Sequence, residues 1–513
     1  MRDVAWVSAK LLRCARARDD RLLGTARRLM EDLGREERAA IACRPDEDGR
    51  TPLCTAARHG NVSFVDFLLD DCGADVDQRG FCRRHWYVGD DGDSRVTPLW
   101  CAAVAGRLEV VRSLVGRGAD VNALCGGSDY RSTPVYEVCS ATRPNVDVVK
   151  CLLENGADVH RPYGLDRTCL MASVGHAGLC DVLLRHGASV STATARDGCT
   201  ALHLAVRENR LETVRVLLRH GCDSSLRDGD GLDVFQCAAL RRHAAVLRCL
   251  VDELKPTART RADAYSLMGA SFADRNDGRR AMACWYESVA IRTSESVPAA
   301  AAAAADPAED VDTNPVYDGA ARREAGDFDS LRQIDGDDDA IFSQALVVRA
   351  RILGPRNIYT YFALCDRAER HVDARAYRRA VVLLKYALSL RRHSDALRLI
   401  CSAFWMMLHE GDTGLRFVDV ADALAMTVDE IGENSAAAAD EDFPMPDLFH
   451  LPMWSIRLVH VLCQLMSTDA ERSSTRQHVR DLVNTGYRSS RAYSTLLHLA
   501  ISKVSSFVYR VRQ

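Results

Sequence analysis

The amino-acid sequence predicts an all-α fold built from stacked helix pairs, and three observations support this prediction. Helix-pair segments recur along the first half of the chain at a nearly constant spacing. Aromatic residues are only 6% of the chain although 47% of it is hydrophobic, a balance that favours small-residue helix contacts over a β-sandwich or barrel. The chain has 513 residues, more than one hydrophobic core organises, so we expect several domains or one elongated repeat array.

Six segments of the first half begin alike when they are aligned on a threonine or its equivalent. These starts are positions 51, 97, 133, 168, 200 and 233, so the successive spacings are 46, 36, 35, 32 and 33 residues. The first five segments close on Gly-Ala-Asp or a near variant, and the sixth is a weaker copy. A period of about 33 residues is that of the ankyrin repeat. Residues 51–255 are therefore predicted to form an ankyrin-repeat solenoid of about six repeats, after a divergent amino-terminal cap over residues 1–50.

The residues that recur within each repeat account for its two helices. Thr-Pro opens the first helix, because proline fits the first turn, where its missing N–H would be unpaired anyway. Small alanines let the two helices pack closely, and a Leu-Leu pair in the second helix is expected to be buried against the next repeat. The glycine that follows supplies the left-handed residue that ends the second helix.

The largest departure from the period lies between the first two repeats, where the segment from residue 78 to residue 96 contains about 13 extra residues. Insertions in repeat arrays fall in loops, often on the binding face. This loop carries Trp86 and Tyr87 beside the acids Asp90 and Asp91. Such a mixture of flat apolar area and charge is typical of recognition loops. Two interpretations stay open here: a tolerated surface loop, or a loop that binds a partner.

The repeat pattern changes after residue 255, and residues 256–430 are predicted to form a tetratricopeptide-like helical-repeat domain. Two segments, which start at Leu267 and Glu369, place small residues where paired helices cross and accept a bulky neighbour. The first of these segments combines Gly269 and Ala281 with Trp285.

Three stretches of the second half are expected to differ from this helical domain. An acidic, alanine-rich insert near residues 294–330 is predicted to be disordered, because it cannot bury enough apolar area to order itself. Residues 431–450 are expected to be a linker. Residues 451–513 are expected to be a helical segment that ends in a partial ankyrin repeat.

Charge and composition argue against several classes of partner. The chain has 67 basic and 71 acidic residues, a net charge of −4, so no broad basic field indicates nucleic acid. The opening residues are charged throughout, unlike a signal peptide, and no apolar stretch reaches the ~18 residues of a membrane span. We therefore expect no nucleic-acid or membrane partner and a cytoplasmic or nuclear location. The 19 cysteines include no CxxC pair, and we expect most of them to be buried, reduced thiols.

The sequence also lacks the motifs that mark common catalytic sites. It contains no GxxxxGK[ST] phosphate loop, no GxSxG elbow and no HExxH zinc helix. His203 occupies a TALHLA motif, where hydrogen bonding to the backbone of a neighbouring repeat is expected rather than a role as a base. We therefore predict a protein that is not an enzyme, with no catalytic residues, no cofactor and no metal site.

Local strings outside and inside the ankyrin consensus resemble those of the fem (feminization) family, the fem-one homologues. The strings are FVDFLLDDCGADV from Phe64, TPLWCAA from Thr97, TCLM from Thr168, TALH from Thr200, LMGASFADR from Leu267 and RILGP from Arg351. LMGASFADR and RILGP do not belong to the ankyrin consensus, so a generic ankyrin protein would not supply them.

The resemblance implies a substrate receptor of a cullin-2 RING ubiquitin ligase that joins the complex through elongin B/C. Such receptors hold carboxy-terminal tails of protein substrates, often ending in arginine, on the ankyrin surface. Transferred to this chain, the candidate binding residues are Trp86, Tyr87, Asp90, Asp91, Trp100, Ser132, Tyr136 and Glu137.

Two departures from the family pattern limit this transfer. One expected acid is missing where the chain reads Cys139-Ser140-Ala141, and Glu137 is the nearest substitute, so a preference for arginine is an open question. No Leu-Lys-Cys-Leu-Ala-type elongin box occurs within the 513 residues. The sequence is then truncated, docks differently or has left the ligase. The alternative is a non-enzymatic ankyrin and helical-repeat scaffold for protein interactions.

Overall fold

The computed structural model divides the chain into two compact units, residues 1–255 and 256–513. It describes residues 4–16, 20–81, 95–126, 131–163, 166–294, 324–390, 394–410 and 416–426, and scattered positions between 458 and 478. The two units are described separately below.

The first unit consists of short helices that follow one another in pairs. They are α1 (Val4–Arg16), α2 (Asp20–Met30), α3 (Arg35–Ala42), α4 (Pro52–His59), α5 (Val62–Asp66), α6 (Pro98–Val104), α7 (Leu108–Gly116), α8 (Pro134–Ser140), α9 (Val146–Glu154), α10 (Cys169–Ala172), α11 (Ala177–Arg185), α12 (Ala201–Arg207), α13 (Leu211–Arg219), α14 (Val234–Leu240) and α15 (Ala244–Leu254). A π-helical turn, Phe67–Asp71, continues α5. The six pairs from α4 to α15 begin at the repeat starts found in the sequence, and they confirm the ankyrin solenoid.

The ends of these helices are set by the residues that recur in the sequence. Thr51 and Thr97 cap α4 and α6, and their hydroxyls accept hydrogen bonds from the backbone N–H three residues ahead at 3.3 and 3.2 Å. The glycines that follow the second helices all have positive φ. They are Gly73 (70°), Gly118 (85°), Gly156 (84°), Gly187 (88°) and Gly221 (73°). The predicted roles of Thr-Pro and of the closing glycine are therefore confirmed.

Consecutive repeats stack through their first helices, each packing on the next from α4 to α14. Side chains also bridge neighbouring repeats by bonding to backbone carbonyls. These bonds run from Arg107 Nε to Arg58 O (3.1 Å), Asn145 Nδ2 to Gly106 O (3.3 Å) and Thr213 Oγ1 to Val174 O (2.7 Å), and His243 Nε2 lies 3.3 Å from Arg207 O. Each of these contacts joins a repeat to its immediate neighbour.

The amino-terminal segment covers the exposed end of the stack. Helix α1 packs on α2, α3 and α4, and it buries Leu11 and Ala15 completely. Ser8 Oγ donates to the carbonyl of Arg44 at 3.2 Å, which ties α1 to the chain just before the first repeat. These contacts tie the amino-terminal segment to the first repeat, and its assignment as a divergent ankyrin cap stays a prediction.

The segments that join the repeats carry four strands of two residues each, which the sequence did not predict. They are β1 (Gly80–Phe81), β2 (Arg95–Val96), β3 (Cys125–Gly126) and β4 (Arg131–Ser132). They pair antiparallel in the order β1-β2-β3-β4, and we call them the finger sheet. Strands of two residues are too short to show an alternation of apolar and polar residues, so the sequence pattern does not predict them.

The second unit is also helical in the part that the structure describes. Its helices are α16 (Ala258–Ala273), α17 (Gly278–Ser294), α18 (Phe328–Ile334), α19 (Asp338–Leu353), α20 (Ile358–Asp373), α21 (Tyr377–Leu390) and α22 (Ser394–Glu410). Helices α16 and α17 form one antiparallel pair and α20 and α21 another, with α19 packed on α16 and on α20. Helix pairs are thus present, and the tetratricopeptide assignment stays a prediction.

A small residue accepts a bulky one where α16 and α17 cross. Trp285 is almost fully buried, and its Nε1 donates to the carbonyl of Ser266 at 3.0 Å. Gly269 faces the indole so closely that a Cβ built on it would lie 2.6 Å from Trp285 Nε1. The glycine of the LMGASFADR string is therefore required by packing.

Partly buried ion pairs connect the two family-like strings of this unit to neighbouring helices and segments. Asp274, in LMGASFADR, accepts two hydrogen bonds from the buried Arg349. Arg351, in RILGP, contacts both Asp263 and Glu324, and Arg292 contacts the same two acids. Burial by itself raises the pKa of the Glu324 carboxyl group. The guanidiniums of Arg351 and Arg292 outweigh this effect and hold that pKa below its usual range. We call Asp263, Arg292, Glu324 and Arg351, which are all partly buried, the ion cluster.

The ion cluster also corrects one boundary from the sequence. The disordered insert was predicted to extend to about residue 330, but Glu324 is fixed in the cluster and α18 begins at Phe328. Residues 295–323 lie outside the described residues, as does most of 431–513 with the predicted partial repeat. Within the part of the chain that is described, no helix combines the length and apolar character needed to cross a membrane.

Candidate partner-binding site

The candidate binding residues fall into two groups. Trp86, Tyr87, Asp90 and Asp91 lie outside the described residues, so their role stays a prediction. Trp100, Ser132, Tyr136 and Glu137 lie at the beginnings of the neighbouring helices α6 and α8 or just before them. The second group thus lies at the junction of repeats two and three, where α6 packs on α8.

The start of α8 differs from that of the other first helices. Thr133 has the extended backbone of a cap residue, yet its side chain makes no capping hydrogen bond. Ser132, one residue earlier in β4, instead donates from Oγ to Oε1 of Glu137 at 2.7 Å. This bond runs from the residue before the cap to the first turn of the helix, and it fixes the Glu137 carboxyl group beneath the finger sheet.

Two tyrosines line the helix start on the side of repeat four. The rings of Tyr136 and Tyr163 are 4.9 Å apart and inclined by 51°. Tyr163 is held by a two-way backbone bridge to Arg167, with N···O distances of 2.9 and 3.0 Å. Burial raises the pKa of the Tyr163 phenol, so the ring is neutral at physiological pH. The sequence analysis missed Tyr163. Its place four residues before the RTCL repeat start shows that it belongs to the segment that joins repeats three and four.

All four described candidates are mostly buried. Their exposed fractions are 1% for Ser132, 5% for Tyr136, 5% for Glu137 and 7% for Trp100. They form a packed layer between the first helices and the finger sheet rather than an open recognition face. Glu137, which the sequence offers as the nearest substitute for the missing acid, is therefore a buried side chain.

The position of the Glu137 carboxyl group in this layer affects how strongly it attracts a cation. In surroundings of low dielectric constant, it attracts an approaching cation more strongly than an exposed carboxylate does. A guanidinium can satisfy a carboxylate through two parallel hydrogen bonds, while the neighbouring tyrosine rings supply flat apolar area. The layer thus holds an acid and two aromatic rings, the groups that bind a basic side chain, but a ligand reaches them only by entering a packed interior.

The rest of the described chain offers no obvious alternative centre. Among the residues that the structure describes, no group of three or more His, Cys, Asp or Glu side chains is arranged to hold a metal ion. His203 is fully buried, its Nδ1 lies 2.9 Å from Thr200 Oγ1, and burial lowers its pKa. The nearest hydrogen-bonding group to the His203 ring is therefore Thr200, the cap of the same helix. The ring is neutral and has a structural role.

Comparison with known proteins places these features in context. The family model for ankyrin repeats matches residues 22–125 and 138–228. The chain is 27% identical to the fem-1 homolog A-like protein of Mus musculus, across 96% of this chain and 80% of the relative. It is 34% identical to the sex-determining protein fem-1 of Caenorhabditis elegans, across 68% of this chain and 51% of that protein. The crystal structure of the ankyrin repeat domain of Bcl-3 is 26% identical, with a TM-score of 0.35 over 40% of this chain and 87% of that one.

Proposed function

The chain belongs to the fem-1 family of ankyrin-repeat proteins, and from this membership we propose that it is a substrate-recognition subunit of a cullin-2 RING ubiquitin ligase. In this role it binds the carboxy-terminal tails of target proteins on its ankyrin repeats, and elongin B/C and the cullin connect it to the ubiquitin-transferring machinery. It is itself non-catalytic and acts through protein interactions.

The observation that carries the proposal is the Ser132–Glu137 pair at the start of α8. A repeat protein that binds a tail ending in arginine needs an acid in a defined position, and the 2.7 Å bond from Ser132 supplies that position. The tyrosine pair beside it can contact the aliphatic part of the arginine side chain. The stacked repeats are ordered before binding, so little conformational entropy is lost when a tail docks.

Peptide titration tests this proposal directly. Glu137→Gln keeps the shape of the side chain and the acceptor for Ser132, but it removes the charge. A hydrogen bond to a charged group is stronger by ~1.4 kcal/mol than one to a neutral group, which corresponds to about tenfold in affinity. We expect labelled ten-residue peptides that end in arginine to bind Glu137→Gln about tenfold more weakly than the wild type in fluorescence anisotropy.

The matched control is Glu109→Gln, which removes an exposed carboxylate on α7 that pairs with Arg112 of the same helix. This variant should bind the arginine-ended peptide like the wild type. Equal affinities for wild type, Glu137→Gln and Glu109→Gln would refute the role of Glu137. Circular dichroism on all three proteins confirms that the repeats stay folded.

Membership of a ligase needs a separate measurement. The full chain, co-expressed with elongin B, elongin C and cullin-2, is expected to elute with them from an affinity column. Peptide binding without elongin or cullin-2 in the eluate would favour the alternative of a scaffold that acts without a ligase. The two experiments therefore distinguish the binding site from the complex that uses it.

A further inference from the structure

The finger sheet has two faces of opposite character. Gly80, Val96, Cys125 and Ser132 are buried on the face toward the helices. The other face carries Phe81, Arg95, Gly126 and Arg131, which lie side by side in the strand register: Phe81 pairs with Arg95, Arg95 with Gly126, and Gly126 with Arg131. We call these four residues the finger face. Arg95 and Arg131 are exposed, and Phe81 is partly exposed.

Gly126 leaves a gap between the two arginines of the finger face, Arg95 and Arg131. Gly126 has φ 131°, a backbone conformation that residues with a side chain rarely adopt. Since neighbouring strands are ~4.8 Å apart, the backbones of Arg95 and Arg131 are about 10 Å apart across Gly126. Both side chains are long enough to reach an anion above the glycine. The geometry therefore offers two guanidiniums to one carboxylate, an arrangement that favours charge-assisted hydrogen bonds.

The aromatic end of the row adds an apolar contact. The Arg95 guanidinium lies 5.8 Å from the centre of the Phe81 ring, which holds the cation above the sheet. Phe81 and Gly126 are separated by two strand spacings, ~9.6 Å. An extended polyproline-type chain rises ~3.1 Å per residue and returns to the same side every third residue, so three residues span ~9.3 Å.

We propose that the finger face binds an extended acidic segment of a partner protein, with a carboxylate above Gly126 and an apolar side chain three residues away on Phe81. This contact is separate from the carboxyl group at Glu137, which lies beneath the other face of the sheet. The proposal does not depend on membership of a ligase, because it rests on the charge and register of the sheet alone.

A protein segment fits this surface better than a nucleic acid does. Binding to a phosphate backbone needs a track of many cations, and the chain as a whole carries a net charge of −4. Two arginines around a single gap match one or two carboxylates instead. The aromatic residue at the end of the row suits an aliphatic or aromatic side chain of the partner.

The test uses the full chain and short labelled peptides. The probe is a twelve-residue peptide with Glu and Leu spaced three residues apart, and its controls are the same peptide with Gln for Glu and one with Leu moved next to Glu. We expect the acidic peptide to bind the wild type about tenfold more tightly than the Gln peptide. Arg131→Gln should remove most of this preference, and Arg95→Gln should weaken binding to all three peptides.

Control variants separate this contact from other charges. Arg112→Gln, on the exposed side of α7, should leave every affinity unchanged. Equal binding of the acidic and Gln peptides to the wild type would overturn the proposal. Tighter binding of a single-stranded oligonucleotide that is lost in Arg131→Gln would also overturn it in favour of nucleic acid.

Discussion

Gly269→Ala is expected to destabilise the α16–α17 pair, although alanine is normally the better helix former. An added Cβ would lie 2.6 Å from Trp285 Nε1, 2.7 Å from its Cδ1 and 3.0 Å from the carbonyl of Ala281. The first two distances are shorter than real contacts, so the indole has to move. Its movement strains the bond from Nε1 to the Ser266 carbonyl, now 3.0 Å long.

The size of the effect follows from opposing contributions. Overpacking a core costs ~1–3 kcal/mol, and a weakened buried hydrogen bond adds ~1 kcal/mol. Replacing glycine by alanine inside a helix returns ~1 kcal/mol. The expected net loss is therefore about 1–3 kcal/mol of local stability, or roughly a five- to 150-fold rise in the opening equilibrium.

Hydrogen exchange followed by mass spectrometry measures this change in the full chain, since peptides from residues 258–294 report on α16 and α17. The matched control is Gly24→Ala in α2, because no heavy atom lies within 4 Å of a Cβ at that position. Gly24→Ala should slow exchange in its own helix by up to a factor of about five. Unchanged or slower exchange around Gly269→Ala would refute the packing argument.

Two further predictions concern the second unit and the thiols. Glu324→Gln should cost roughly 1–3 kcal/mol, between the values for exposed and buried ion pairs, because Arg292 and Arg351 then share only the Asp263 carboxylate. Because the folded-state pKa of Glu324 lies below its unfolded value, its contribution is complete above about pH 4.5 and is lost as the pH falls further, which acid unfolding followed by circular dichroism of wild type and variant can detect. Cys180 is fully buried and its pKa is raised to about 11, so iodoacetamide at pH 8 should modify it only after denaturation, as peptide mass spectrometry can show.

The solenoid could be predicted because its signals are local. Thr51 and Gly73 act on the turn in which they lie, so their roles can be inferred from their position in the repeat. The finger sheet could not be predicted in the same way, because strands of two residues leave no periodic pattern. The ion cluster is also invisible to local patterns, since Asp263 and Arg351 are 88 residues apart in the chain.

The candidate site was predicted in part. The family resemblance pointed to Ser132 and Glu137 as candidates, but it did not indicate that their side chains bond to each other. The burial of Ser132 and Glu137 depends on the segments that join successive repeats, and those segments differ in length. Tyr163 was overlooked for the same reason, because its contact with Tyr136 joins different repeats.

The side-chain bonds between repeats also bear on how such a chain can change over evolutionary time. Each one, such as that from Arg107 to the carbonyl of Arg58, connects only adjacent repeats, so distant repeats place no demand on one another. A lengthened segment between two repeats therefore alters its own junction and leaves the remaining junctions intact. This independence is consistent with one spacing of 46 residues persisting beside others of 32 to 36. Novel binding loops can thus arise at one junction without the whole array having to be rebuilt.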